Sequence, residues 1–312
     1  MDMQWCWTCF LKRPLQTKET LENELLSGSV SLPLSNRRVL FTAPRQYATK
    51  LAARLTERGA RPVWVPAIEI ARLSDSNCMQ ALDQELSHLE RYSHLAFTSR
   101  NGIAAVLERL ATMHGSLQAA AAHLNALPLR CCALGADAEM LADAGVDNVL
   151  TPQEASTQGL VAELQTRGEV EGAAVLCPVP LVFGLTEPPI VPRFLAALQA
   201  TGAHAVRVDA YETRPGATLE QCAAERQLLA EGHIYAVAFT STAEAEGLQH
   251  VMGGKEWLQK TLEKWSTVLA AHGPYTAAGA GQVLGLSVTC VSRDFGDFSG
   301  LVRALELHGS SS

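Results

Sequence analysis

Two stretches of the 312-residue chain carry residue types suited to holding an anion. The first is His94-Leu95-Ala96-Phe97-Thr98-Ser99-Arg100-Asn101-Gly102, an apolar run ending in hydroxyl and amide side chains. A helical pattern follows at once in Ile103, Val106, Leu107 and Leu110. This predicts a buried strand whose last residues cap a helix. Such a corner aims backbone N–H groups, and the positive end of a helix dipole, at whatever lies above the strand. The second stretch, Tyr235-Ala236-Val237-Ala238-Phe239-Thr240-Ser241-Thr242-Ala243, repeats Ala-Phe-Thr-Ser in the same setting. One corner built twice predicts two similar halves facing each other.

Positioning two such corners needs two cores, and 312 residues suffice for two domains. An apolar content of 47% with 18% charged residues fits a globular protein. The long runs without Asp, Glu, Lys or Arg are 110–129 and 265–292. They are interrupted by Gly, Pro, Ser, Thr, Asn, Gln and His and do not read as the roughly 18 continuous apolar residues of a membrane span. The net charge of −7 argues against a nucleic-acid partner, which a basic face usually serves. The eight cysteines show no disulfide framework, which points to a reducing compartment. Cys6-Trp7-Thr8-Cys9 lacks the preceding strand that thioredoxin-type chemistry needs, and a lone pair cannot close a zinc site. Gly279-Ala280-Gly281 lacks the third glycine of a dinucleotide fingerprint, because Leu284 stands there. No metal site is expected.

Residues 1–36 read as an extension ending in a Ser/Gly/Pro-containing linker. Its basic and hydroxyl residues suggest targeting to the plastid stroma; Asp2, Glu19, Glu22 and Glu24 keep a cytoplasmic location open. Beyond it, Val39–Thr42 is a strand, 47–58 a helix closed by Gly59, and 63–70 one extended strand whose Pro66 confines it to an edge or a connection. Helices are expected at 78–90 and through 102–126, with strands at 129–134 and 149–150. Ala173–Cys177 is a strand running into a proline-rich loop at 178–192, and 205–214 is extended. A helix at 218–230, the repeated strand, a strand at 268–271 and a last one at 288–291 complete the pattern.

The halves match element by element. Residues 38–70 correspond to 173–214, and 96–164 to 238–305, at a roughly constant offset of about 135–142 residues. The expectation is an α/β protein of two similar parallel-sheet domains joined by a two-stranded linker. One domain takes 37–66 plus 212–308, and 67–211 is inserted into it.

Several residues together carry a family likeness. They are Thr42 after the first strand, Pro66 in the extended segment, Phe97-Thr98-Ser99-Arg100-Asn101, and Tyr211 in Asp-Ala-Tyr-Glu-Thr. Phe239-Thr240-Ser241 and Gly273-Pro274-Tyr275-Thr276-Ala277 complete the set. In this order and spacing the chain resembles the uroporphyrinogen-III synthase family over about 38–307. The resemblance implies an interdomain cleft and a monomeric enzyme without cofactor. It also implies a reaction: closure of the linear tetrapyrrole hydroxymethylbilane to uroporphyrinogen III, with the last ring inverted and water lost.

Such a substrate is a polycarboxylate, and the protein is acidic, so local donors must hold it. The corners at Thr98–Asn101, Thr240–Thr242 and Gly273–Thr276 offer helix-start N–H groups, each worth roughly 0.3–1 kcal/mol and up to about 2 when partly buried. Arg45 and Arg100 can add charge-assisted bonds. By the resemblance, Tyr211 helps the hydroxyl leave, while Thr42, Tyr275 and the other corner residues bind substrate. Plainer roles stay open: helix caps for the hydroxyls, a structural tyrosine at 211, a simple turn at 273–274. The chain also departs from the family. Thr42-Ala43-Pro44-Arg45 replaces a frequent Thr-Arg-Pro, Asp137 stands near the counterpart position of Thr276, and 178–192 is proline-rich. A diverged paralogue, non-catalytic or of different small-molecule specificity, is therefore the alternative.

Overall fold

A computed structural model describes residues 32–294 and 297–310. The Cys-x-x-Cys pair, and all of the extension up to residue 31, lie outside the described residues. The elements run β1 (Arg38–Phe41), α1 (Arg45–Glu57), β2 (Arg61–Trp64), β3 (Ile68–Ala71), α2 (Ser76–Leu86), β4 (His94–Ala96), α3 (Arg100–His114) and α4 (Leu117–Ala126). They continue with β5 (Arg130–Cys132), α5 (Ala138–Asp143), α6 (Thr157–Thr166), β6 (Ala174–Val182), α7 (Ile190–Ala200) and β7 (His204–Pro215). The chain ends with α8 (Ala223–Ala230), β8 (Ala236–Phe239), α9 (Thr242–Val251), α10 (Lys255–Lys264), β9 (Val268–Ala271), α11 (Pro274–Leu284), β10 (Cys290–Val291) and α12 (Ser299–Ser310).

Two five-stranded sheets result, ordered β10-β9-β8-β1-β2 and β3-β7-β6-β4-β5. Every pair is parallel except β3 with β7. Parallel strands need both faces covered, and alternate side chains divide the work. In the first sheet Leu40, Val237 and Leu269 meet α8–α11 through Leu229, Leu248, Leu258 and Leu284. Val39, Phe41 and Ala238 meet α1 and α12 through Leu51, Leu55, Leu301 and Leu305. The second sheet repeats the plan. Leu95, Phe97 and Leu176 pack on α2–α5, whereas Ala96, Val175 and Cys177 pack on α6 and α7. The duplication read from the sequence is a duplication of this layered unit.

The segment 63–70 is not one strand. Val65-Pro66-Ala67 separates β2, at the edge of the first sheet, from β3, at the edge of the second. Pro66 has no N–H to continue a ladder, so the chain changes sheets there. The returning connection is β7, which keeps its antiparallel register with β3 from Glu212 opposite Ala71 to Pro215 opposite Ile68. The second sheet therefore holds its strand to Pro215 rather than releasing it at Tyr211. Gly247 of α9 sits on the crossing: a Cβ there would lie 2.3 Å from the Ala67 carbonyl oxygen.

Other expectations shift for local reasons. The proline-rich stretch is not a loop throughout, because β6 continues through Pro178 and Pro180 to Val182. Its pairing with β4 stops at Leu176, so beyond that point one side of β6 is unpaired and proline costs no ladder bond. A register shift at Val179/Pro180 absorbs the irregularity. The run 102–126 breaks at Gly115, whose φ of 90° ends α3, and Ser116 caps α4. Val149-Leu150 forms only a single bridge, from Leu150 to Cys132, and α8 begins at Ala223.

Candidate functional site

The loops that follow the carboxyl ends of the parallel strands converge on one cleft of about 540 Å³ between the sheets. Open α/β sheets place ligand sites at this end. Thr98–Asn101 after β4 and Ala136-Asp137 after β5 come from one wall. Pro44, Tyr47 and Lys50 after β1, Thr240–Glu244 after β8, and His272, Tyr275 and Thr276 after β9 come from the other. Tyr211 and Thr213 of β7 line it as well. The repeated corners thus share one cleft.

The corners are alike in sequence and unlike in bonding. At the first, Ser99 is the N-cap of α3, and its Oγ accepts the Gly102 N–H at 3.3 Å. The same Oγ lies 2.9 Å from the Tyr211 hydroxyl. Tyr211 is only 6% exposed. Burial pushes its phenol up to about 12, against the opposing effect of the Ser99 hydrogen bond. It therefore stays protonated near neutral pH and can donate.

At the second corner Ser241 makes no side-chain cap. Glu244, fully buried, takes the donors instead. Its Oε2 accepts the Thr42 hydroxyl at 2.7 Å and the Thr240 N–H at 2.8 Å. Its Oε1 accepts the hydroxyls of Thr240 and, at 3.2 Å, Ser241. Burial raises the Glu244 carboxyl, and these four donors oppose the rise. Because the hydroxyl protons of Thr240 and Ser241 point inward, this corner offers a ligand the unpaired first-turn N–H groups of α9 and the Thr242 side chain.

The third corner is closed by Gly273 as N-cap and Pro274 in the first turn of α11. Thr276 donates to the Thr240 carbonyl at 3.4 Å, joining the second and third corners. Gly279 is explained by packing. A Cβ there would meet Thr242 Oγ1 at 2.1 Å, so the glycine lets α11 lie against the start of α9. Across the cleft, Tyr275 donates to Glu154 of the opposite domain, and this bond holds the Glu154 carboxyl below its usual range.

Charge inside the cleft is mixed. Lys50 and Arg100 are its cations. Glu187 is paired with Arg207 at 2.8 Å and Asp297 with Arg54 at 3.5 Å. Asp137 lies 3.9 Å from Arg100. Burial lifts the Asp137 carboxyl to about 6, with Arg100 pulling the other way. Among the described residues no three His, Cys, Asp or Glu side chains gather as a metal-ligand set, and no helix is long and apolar enough to cross a membrane.

The model of the family described as "Uroporphyrinogen-III synthase HemD" matches residues 49–301. The chain belongs to the uroporphyrinogen-III synthase family. A uroporphyrinogen-III synthase of Chlorobaculum parvum is 27% identical over 259 residues, which cover 82% of this chain and 93% of that one. One from Synechococcus elongatus is 25% identical over 275 residues, or 88% and 96% of the two chains. A crystal structure of a mutant uroporphyrinogen III synthase from the extremely thermophilic bacterium Thermus thermophilus shares the fold with a TM-score of 0.60 at 16% identity, covering 88% of this chain and all of that one.

Within this family frame, ten of the residues expected at the site line the cleft: Thr98, Ser99, Arg100, Asn101, Tyr211, Thr240, Ser241, Thr242, Tyr275 and Thr276. Three do not. Thr42 is fully buried and serves as a donor to Glu244 behind the second corner. Arg45 is exposed, with its guanidinium 5.0 Å from the Trp64 ring centroid, so the stacking contact turns it away. Gly273 shapes the third corner without lining the cleft. Sequence reasoning missed Glu244, Tyr47 and Lys50. The spacing Ser241-x-x-Glu244 is that of a capping box and could have exposed Glu244. Tyr47 and Lys50 lie on the first turns of α1 and carry no local signal.

Proposed function

We propose that the cleft binds hydroxymethylbilane and closes it to uroporphyrinogen III, inverting the last ring and releasing water. The observation that carries this reading is the buried, protonated Tyr211 phenol, hydrogen-bonded to the cap of one wall and facing a cleft whose opposite wall repeats the same corner. The acetate and propionate groups take the helix-start N–H groups of α3, α9 and α11, with Arg100 and Lys50 adding charge. Carboxylates held on both walls fold the flexible chain so that its two ends meet, which supplies the proximity term of catalysis. Tyr211 gives its proton to the departing hydroxyl, making water the leaving group. We further propose a monomer, since both walls of the cleft come from one chain, and import into a plastid, on the basic and hydroxyl residues of 1–36.

The test is direct. Purified protein is incubated with hydroxymethylbilane, the products are oxidised, and the porphyrin isomers are resolved. Isomer III is expected. Isomer I alone, the product of spontaneous closure, would overturn the enzymatic reading and favour a binding paralogue.

A further inference from the structure

Loss of water from a hydroxymethyl group and closure of a ring involve two protons, and Tyr211 accounts for one. When the C–O bond breaks, the electron pair leaves with oxygen and the phenol proton completes water. The remaining methylene cation is captured by the last pyrrole ring, and inversion makes and breaks carbon–carbon bonds without a net proton change. When the final bond forms at that ring's free α-carbon, the carbon carries both the new bond and its hydrogen. The C–H bond must then break, its electron pair returning to the ring. A base has to receive that proton.

We propose that this base is Asp137, which takes the α-carbon proton at ring closure and returns it to the Tyr211 phenolate, so that the cycle balances without an oxidant, reductant or cofactor. The inference rests on the function proposed above. Asp137 closes the short turn Gly135–Asp137 after β5 and is half-buried in the same cleft as Tyr211. The other acids of the lining are occupied: Glu187 by Arg207, Asp297 by Arg54, and Glu244 by three hydroxyls and an N–H. The charged and titratable groups acting on Asp137 are Arg100 of α3, 3.9 Å away, and the phenols of Tyr47 of α1 and Tyr211 of β7, which line the same cleft. Arg100 stabilises the ionised form, and Tyr211, which the proton must reach, lines the same cleft. Burial places the Asp137 carboxyl at about 6, so it is ionised near neutral pH yet more basic than an ordinary aspartate. In this role the Asp137 carboxylate meets a ring carbon rather than the carboxylates of the substrate.

The test measures isomer III formation from hydroxymethylbilane between pH 5 and 9 for the wild type, Asp137→Asn and Asp137→Glu. In the wild type kcat/KM should fall as the pH drops through about 6. Asp137→Asn, which keeps the shape and removes the charge, should lower kcat by about 100-fold or more with KM within about threefold. It should also lose the acid limb, and Asp137→Glu should recover part of the rate. Should Asp137→Asn fail to fold, Asp137→Ser carries the same comparison. A wild type yielding isomer III beside an Asp137→Asn variant with undiminished kcat, or with the acid limb unmoved, overturns the base and leaves the function standing. A wild type yielding only isomer I overturns both.

Discussion

Replacing Tyr211 by phenylalanine removes one oxygen and keeps the ring, which makes it a clean probe of the proposed chemistry. The ring belongs to the second-sheet hydrophobic cluster that also holds Leu95, Phe97 and Val208, and the substitution leaves it there. What is lost is the 2.9 Å bond to Ser99. Ser99 keeps its second partner, the Gly102 N–H, so no buried group is stranded. A hydrogen bond of this kind contributes about 0.5–1.5 kcal/mol net, equivalent to a fall in Tm of no more than about 2–4 °C per kcal/mol in a chain of this size. Loss of a positioned proton donor costs about 10²–10⁴ in rate, or roughly 2.7–5.5 kcal/mol of transition-state stabilisation. The chemical effect should therefore exceed the structural one several-fold. Thermal melting and isomer-resolved turnover of Tyr211→Phe measure the two separately. A variant that melts as expected and retains kcat within about threefold of the wild type would refute Tyr211 as the donor.

Ser99→Ala removes both the cap of α3 and the partner of Tyr211. Urea unfolding should show a loss of about 0.5–2 kcal/mol, and turnover should fall as the phenol loses its fixed direction; unchanged kcat would mean that Tyr211 is held by packing alone. Glu244→Ala strands the Thr240 N–H at a buried site, while the Thr42 hydroxyl falls back on the Ala238 carbonyl at 3.2 Å, so a destabilisation of about 1–3 kcal/mol is expected in the same assay. An unchanged urea midpoint would show that water replaces the carboxylate there. Gly247→Ala drives a methyl group into the Ala67 carbonyl at the crossing between sheets, which should cost about 1–3 kcal/mol; a variant of wild-type stability would mean that α9 can shift away freely.

What was legible in the chain follows from what is local. The repeated Ala-Phe-Thr-Ser stretches fix two strand-to-helix corners because an apolar run followed by hydroxyls has few other solutions. Pro66 marks a discontinuity because a residue without an N–H cannot sit inside a ladder, and the strands on either side of it join different sheets. The direction of each hydroxyl was not legible. Thr240 and Ser241 look like Thr98 and Ser99 in sequence, and only the buried Glu244 decides that their protons turn inward. The placement of Thr42 behind the corner was not legible for the same reason, since its partner lies 202 positions away. The prolines of β6 misled because whether proline costs a bond depends on the neighbouring strand, and β4 stops pairing at Leu176.

The unlike bonding of the two like corners gives the cleft a head and a tail. A site with two equal walls would accept a chain of four similar rings in either direction, and half of the encounters would bring the wrong end to the reacting groups. Here one wall holds Ser99, Tyr211 and Asp137, while at the opposite corner Glu244 has claimed the matching hydroxyls. After duplication, the buried glutamate takes up the hydroxyls of one copy of the motif, so the two corners present different groups to the cleft. The asymmetry is set behind the surface, by a side chain whose carboxylate is wholly taken up by protein donors.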